Sequence, residues 1–380
     1  MLDFDFGPAQ DAYRAELRAF ALRELAPGYV ERDAERRYPG PEIRKLIRFQ
    51  ESFWKGRENE RDLVSVGITA EEVARGDLNC VLPALGPVYQ RQFFGDLSPA
   101  QAKRWLPGLL AGDHMVALAI TEPAAGSDMG RLQMTAVRRG DTYVLKGVKN
   151  SVSFLQGEVI YVFARTDPDA AGSNGISAFL LPRDTPGLSF AQTEDLGCRS
   201  VPRGVITFDD VVVPADAMVG AAGTAFVRIS RFFDVNRAVI GLKCIGAALQ
   251  TLDETVEHAK RRVVFGQPLA GHQGVAFPLT EHATWLELAR WQCYRVLWLR
   301  DRARKCQREG AMVKWAAPKL AAQAIHQCLL FHGHYGYEAA RPIQQRLRDV
   351  IGWQIGDGSE EVMKLILQRE LFAGGREGSG

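Results

Sequence analysis

The hydrophobic period of this 380-residue chain changes twice, which limits the folds open to it. From about Ala9 to Ala111 apolar residues recur at helical spacing. Tyr13, Leu17, Phe20 and Ala21 share one face, and Leu63 to Ala74 and Pro99 to Leu110 repeat the pattern. Past Gly112 come short β-branched and aromatic runs bounded by Gly, Pro and Asp: Tyr143 to Leu145, Val159 to Phe163, Ile176 to Leu181, Val205 to Phe208 and Val211 to Val213. From Gly223 the helical period returns. Leu242, Ile245, Leu249, Leu252 and Val256 trace one stripe, and Val313, Ala317, Leu320, Ala324 and Cys328 another. The order α, β, α predicts an α+β multidomain protein. Its expected parts are an N-terminal α-helical domain (1–112), a central small antiparallel β-barrel or sandwich (113–222), a C-terminal antiparallel four-helix bundle (223–373) and a disordered tail (374–380). Pro39, Gly40 and Pro41 should separate the first two helices, and the weakly periodic stretch Phe49 to Asp62 reads as a loop.

Composition excludes several functions. The net charge is +2 and basic residues are interspersed with acidic ones, so nothing calls for nucleic acid. The arginine-rich pieces Arg32 to Arg37 and Arg300 to Arg308 read as solvated helix faces. Six cysteines without a CxxC pair imply a reducing, cytoplasmic setting and no disulfide framework. No run of about 18 apolar residues occurs, so no membrane span is expected. His332 and His334 lack a third ligand nearby in sequence, and no metal is expected.

The stretch Trp353 to Met363 sets a lone carboxylate, Asp357, between Gly356 and Gly358, which lets the backbone turn sharply there. Ser359 follows as an N-cap, Glu360 and Glu361 occupy the first turn, and Val362, Leu365, Ile366 and Arg369 continue at helical spacing. Thr121 to Asp128 combines a hydroxyl, a proline turn and a Gly-Ser-Asp corner. Asp234 and Arg237 stand three apart on a helix and can meet one ligand. Arg262, next to the flexible Gly266, offers a planar fork of donors to a diphosphate.

Taken in order, these segments resemble the acyl-CoA dehydrogenase family along nearly the whole chain from Leu63 to Leu371. Thr121 to Asp128 matches the flavin loop TEPxAGSD at every fixed position, and Gly147 to Ser153 is similar to the second flavin segment, GxKxWIT/S. Gly197, Arg199 and Phe208 to Pro214 resemble the closing barrel strands. Phe233 to Arg237 resembles the FDxxR helix that meets CoA, and Arg262, Phe265, Gly266 and Gln273 resemble the flavin diphosphate site. Gly356 to Ser359 falls on the family's Tyr-Glu-Gly-Thr, which puts Asp357 in the catalytic base position.

The resemblance implies FAD as cofactor, held by Thr121, Ser127, Ser151, Ser153, Arg262, Phe265, Gln273, Ser359 and Glu361. It also implies an acyl-CoA substrate met by Ser127, Asp234, Arg237, Gly356, Asp357 and Gly358. An electron-transfer flavoprotein would be the acceptor. The diphosphate site is completed across a subunit interface in the family, which implies a homotetramer built as a dimer of dimers.

Three departures make residues smaller: Asp357 for Glu, Gly356 for Tyr and Ser151 for an aromatic residue. Less aromatic bulk leaves room for a wider acyl group, as in the alicyclic branch acting on cyclohexanecarbonyl-CoA or cyclohexenecarbonyl-CoA. The family's Gly-Leu and Pro-x-x-Tyr-Gly-Gly signature is missing from Phe49 to Asp62, where Glu51, Trp54, Glu58 or Asp62 could line the pocket instead. The expected reaction is α,β-dehydrogenation. The alternatives are 1,4- or γ,δ-dehydrogenation, an oxygen-using oxidase, and an impaired flavin-binding protein.

Overall fold

The computed structural model describes residues 5–372, so the tail expected at 374–380 lies outside the described residues. Six helices come first: α1 (Pro8–Phe20), α2 (Tyr29–Glu35), α3 (Gly40–Trp54), α4 (Leu63–Gly76), α5 (Gly86–Phe94) and α6 (Pro99–Ala111). Ser98 starts α6 with a reciprocal cap, its hydroxyl accepting from the Gln101 amide while the Gln101 side chain accepts from the Ser98 amide. Two expectations fail here. Helix α3 runs on to Trp54, so the first part of the expected loop is helical. There Phe49 stacks on Phe20 at 4.8 Å and Trp54 sits 4.9 Å from the Tyr13 ring, the polar residues Gln50, Glu51 and Ser52 between them having obscured the period. Arg32 and Asp33 are buried rather than solvated. Arg32 donates to Asp77 at 2.9 Å and Asp33 accepts from Arg348 at 2.7 Å, since charge leaves water only for a partner.

Helix α4 carries two adjacent buried glutamates. Glu71 accepts from Arg290 and Tyr294, both at 2.7 Å, and Glu72 accepts from Arg18 at 2.7 Å. Each carboxylate thus ties α4 to a different helix.

The middle layer holds β1 (Val116–Ala119), β2 (Thr135–Arg139), β3 (Thr142–Ser153), β4 (Val159–Arg165), β5 (Ile176–Pro182), β6 (Leu188–Gln192) and β7 (Arg203–Pro214). They form one sheet in the order β1-β4-β2-β3-β7-β6, with β5 on the other side of β4. Leu145, Val162, Phe179, Ile206 and Phe208 fill its concave side. Strands β5 and β6 do not pair, so the barrel stays open. The sheet is mixed where only antiparallel pairing was expected, because β1 and β4 run parallel. The two runs ending at Phe208 and Val213 are a single strand, β7, with Asp210 in the left-handed region at φ 48° where its register with β3 shifts.

The last part contains α7 (Ala225–Arg261), the two-residue strands β8 (Val263–Val264) and β9 (Gln267–Pro268), α8 (Gln273–Asp301), α9 (Gln307–Phe331), α10 (His334–Tyr337), α11 (Pro342–Gly352) and α12 (Glu360–Phe372). Both expected stripes face the core, and α7 packs against α4, α8 and α9. On α12 only Met363 is buried, and Leu365 is exposed. Arg302 to Cys306 form the turn between α8 and α9, not a helix face. All six cysteines are free and buried. Among the described residues no helix is long and apolar enough to cross a membrane.

The fully buried Asp349 of α11 joins all three parts. It accepts from Tyr29 at 2.7 Å and Asn79 at 3.1 Å in the N-terminal layer, and from the Cys198 amide in the middle layer. Burial pushes its carboxyl up to about 6. Beside it, a Cβ on Gly197 would lie 2.2 Å from the Arg348 carbonyl, so only glycine lets these two segments approach.

Candidate active site

Helix α11 ends at Gly352 and α12 starts at Glu360, leaving a tight turn between them. Asp357 sits in it at φ 58°, followed by Gly358 at φ 105°. A non-glycine residue held in the left-handed region is strained and needs surroundings that hold it there. Lys314 of α9 supplies them, its ammonium donating to the Trp353 and Gly358 carbonyls at 2.8 Å each and so pinning both ends of the turn. Burial lowers the Lys314 pKa to about 8, the nearby Asp357 charge opposing the shift.

The Asp357 carboxylate is half-buried. Its Oδ2 accepts from Asn236 Nδ2 at 2.8 Å, and Asn236 Oδ1 accepts from the Tyr89 hydroxyl at 2.6 Å. Burial holds that hydroxyl well above its usual pKa, with Asp357 adding to the effect, so it stays a donor. Among the described residues the Asp357 amide and Oδ1 have no hydrogen-bond partner. Ser359 Oγ accepts from the Val362 amide at 3.5 Å, as an N-cap does, and Glu361 is exposed.

Next to the turn lies a narrow cleft, lined by Leu78, Asn79 and Leu82 from the first layer, Ser153, Cys198 and Arg203 from the second, and Lys243 and Trp353 from the third. Asp357 is not in this lining; Trp353, four residues earlier, is. Ser153 Oγ accepts from Arg203 Nε at 3.2 Å. The loop opening the β layer is anchored by Glu122, which pairs with buried Lys149 at 2.7 Å and accepts from the Gln133 and Met134 amides. Beside it the Thr121 carbonyl accepts from the Asn150 amide at 2.7 Å. Ser127 and Ser151 are exposed, Ser151 at φ 54°. Glu51, Trp54, Glu58 and Asp62 do not line the cleft; Trp54 is core, and Asp62 caps α4 by accepting from the Ser65 amide at 2.8 Å.

Asp234 and Arg237 form an ion pair of 3.0 Å one turn apart on α7, close to Asn236. The buried Arg237 Nε has no hydrogen-bond partner. Arg262, Phe265 and Gln273 stand at the other end of α7, about 37 Å from Arg237 along the helix axis at roughly 1.5 Å per residue. All three are exposed, and Phe265 (φ 48°) and Gly266 (φ 80°) form the tip of the β8–β9 hairpin, a turn with both central residues left-handed. His332 stacks on His258 at 4.2 Å, and among the described residues no His, Cys, Asp and Glu cluster could hold a metal.

Asn236, Tyr89, Lys314 and Lys243 were not foreseen. A signal did exist for the lysines. Lys243 interrupts the otherwise apolar run Ala238 to Ala248, and Lys314 stands between Val313 and Trp315, where a charge would be buried. Asn236 and Tyr89 lie 147 residues apart and carried no such signal.

The cleft presents unsatisfied donors to a flat guest. Trp353 Nε1 is buried facing only the Cys198 thiol, a weak acceptor, and the ammonium of Lys243 lacks an acceptor. A flavin ring, planar and rich in carbonyl and ring-nitrogen acceptors, fits that chemistry. An open barrel thus lies between two helical layers, with this cleft and a held carboxylate near where they meet. Residues 117–211 match the model of the acyl-CoA dehydrogenase middle domain, and residues 225–372 that of its C-terminal domain. The chain is 32% identical to an acyl-CoA dehydrogenase of Bacillus subtilis, covering 95% of this chain and 97% of that one. It is 31% identical to the mitochondrial short-chain specific acyl-CoA dehydrogenase of Homo sapiens, covering 93% and 88%. Butyryl-CoA dehydrogenase from Megasphaera elsdenii superposes with a TM-score of 0.90 at 27% identity, covering 97% of this chain and all of that one. The chain belongs to the acyl-CoA dehydrogenase family, and it is an oxidoreductase of CH–CH bonds with FAD as cofactor.

Proposed function

We propose that the protein dehydrogenates a short, compact acyl-CoA thioester of the cyclohexanecarbonyl type between its α and β carbons, with Asp357 as base. The observation that carries this reading is the state of Asp357: Oδ2 is held by Asn236, while Oδ1 and the backbone amide are uncommitted among the described residues. Oδ1 takes the α-proton. The amide donates to the thioester oxygen, which gains negative charge as that proton leaves. Bound FAD supplies the two-electron acceptor for the hydride leaving the β-carbon. Lys314 keeps the turn in shape, and Asn236 keeps the carboxylate from swinging away.

A wide but short acyl group is supported on two sides. A Cβ on Gly356 would meet only Gly352 and Trp353 of its own turn, at 3.7 to 3.9 Å, so the glycine leaves out side-chain bulk that the backbone there could carry. Tyr89, which holds Asn236 behind Asp357, is itself backed by Phe232 at 5.3 Å, which supports a short acyl group on that side. Ser127, Asp234 and Arg237 orient CoA, the unpartnered Arg237 Nε supporting that role.

Thr121, Ser151, Ser153, Ser359 and Glu361 hold FAD in one subunit, and Arg262, Phe265 and Gln273 hold its diphosphate from a neighbour in a homotetramer. Exposed Phe265 at the hairpin tip and exposed Phe277, Trp285 and Leu288 along the first half of α8 support such an assembly. Electrons then pass to an electron-transfer flavoprotein. Anaerobic titration of the yellow protein with straight, branched and cyclic acyl-CoAs tests the reading through loss of flavin absorbance. Compact cyclic substrates should bleach it fully; failure of every acyl-CoA to do so would overturn the proposal.

A further inference from the structure

Lys243 stands on α7 with 1% of its surface exposed. Among the described residues its ammonium has no hydrogen bond and no ion pair, only the face of Trp353, 2.9 Å from the ring centroid. Both residues line the cleft that also contains Ser153. The other cation there, Arg203, is already engaged by Ser153 Oγ at 3.2 Å and by Asp195 at 3.5 Å. A desolvated ammonium without an acceptor is costly, and its burial lowers the Lys243 pKa to about 7. Such a charge is accounted for if the guest in the cleft is electron-rich or becomes so.

We propose that Lys243 contacts the flavin ring bound in this cleft and sets its electron affinity, favouring forms of the ring that carry added negative charge. This rests on the flavin-cleft reading above. A fixed cation close to the ring stabilises the reduced, anionic state more than the neutral oxidised one and so raises the reduction potential. The same charge favours addition of sulfite, whose sulfur lone pair forms a bond to a ring nitrogen while the adjoining C=N π pair shifts into the ring and leaves it negatively charged, with no other reactant needed. Lys243 thus adjusts the driving force for taking electrons from the substrate, while its charge and that of Asp357 also act on each other.

The test compares FAD-loaded wild type with Lys243→Met and Lys243→Gln, which remove the charge but keep most of the side-chain length. The readouts are flavin content, sulfite Kd from the loss of flavin absorbance, and the two-electron midpoint potential, all at one pH below 7, where Lys243 carries its charge. The expected result is unchanged folding with sulfite Kd weakened about tenfold or more, and a potential lower by about 30 mV, the equivalent of tenfold for two electrons. Loss of FAD from a variant that still unfolds cooperatively, at a melting temperature no lower than that of flavin-free wild type, also supports the contact. Full FAD content with unchanged sulfite Kd and potential in both variants overturns the role of Lys243 alone. A wild-type protein unable to take up FAD overturns the flavin-cleft reading itself, and this inference with it.

Discussion

Asn236 Nδ2 lies 2.8 Å from Asp357 Oδ2, so a residue in the middle of the longest helix holds the carboxylate of a turn 121 residues further along the chain. The bond commits one carboxylate oxygen and leaves the other free. Asn236→Leu removes that restraint and leaves the buried Tyr89 hydroxyl without its acceptor. We expect kcat to fall by about 10- to 100-fold with a smaller change in KM, because positioning rather than binding is lost. Steady-state kinetics on the FAD-loaded protein checks this; equal kcat would mean that the bond does not orient the base.

Asp357→Asn keeps the shape of the turn and the flavin but removes the proton acceptor. The variant should remain yellow and show no bleaching by acyl-CoA. Asp357→Glu moves the carboxylate by about one methylene, and a misplacement of that order costs roughly 10²-fold in rate. Rapid-mixing absorbance separates these losses from failure to bind.

Lys314→Met leaves the Trp353 and Gly358 carbonyls without their shared donor. Two buried or half-buried acceptors lost together should cost about 2 to 4 kcal/mol of stability. The left-handed turn at Asp357 should also relax. Urea unfolding gives the first effect, and loss of kcat in the folded fraction the second.

Asp349→Ala strips acceptors from Tyr29, Asn79 and the Cys198 amide at once. We expect a loss on the order of 3 kcal/mol or more, with Asp349→Asn costing less because one oxygen remains. Thermal melts of the two variants against wild type decide the order.

The stability difference between wild type and Lys243→Met should depend on pH in a definite direction. Burial holds Lys243 at about 7 in the folded protein against 10.5 for a free lysine. Between those values the unfolded chain keeps a proton that the folded chain has released, so wild type gains stability as pH rises. In the flavin-free protein the variant should therefore be the more stable below about pH 7. Its advantage should shrink by about 1.4 kcal/mol per pH unit above that. Other titrating groups cancel in the difference, which denaturant titrations at several pH values would measure.

The sequence by itself determined the three-layer order, because hydrophobic period is a local property: the stripes through Leu242 and Val313 are the ones the bundle buries. Local chemistry also marked the turn at Asp357 and the cap at Ser359, each set by residues within a few positions. Where polar and charged residues interrupted the period the reading went wrong. Phe49 to Trp54 is helix, and Arg32 is buried, because a distant carboxylate on Asp77 made burial affordable.

Only the tertiary structure decided which distant groups meet. Nothing in the local sequence joins Tyr89, Asn236 and Asp357 into one row, sets Lys314 across the turn, brings Asp349 to three layers or leaves Lys243 unpaired in a cleft. Those relationships depend on the packing of whole helices and strands, where a few ångströms decide whether a polar group finds a partner, and periodicity along the chain does not encode such distances.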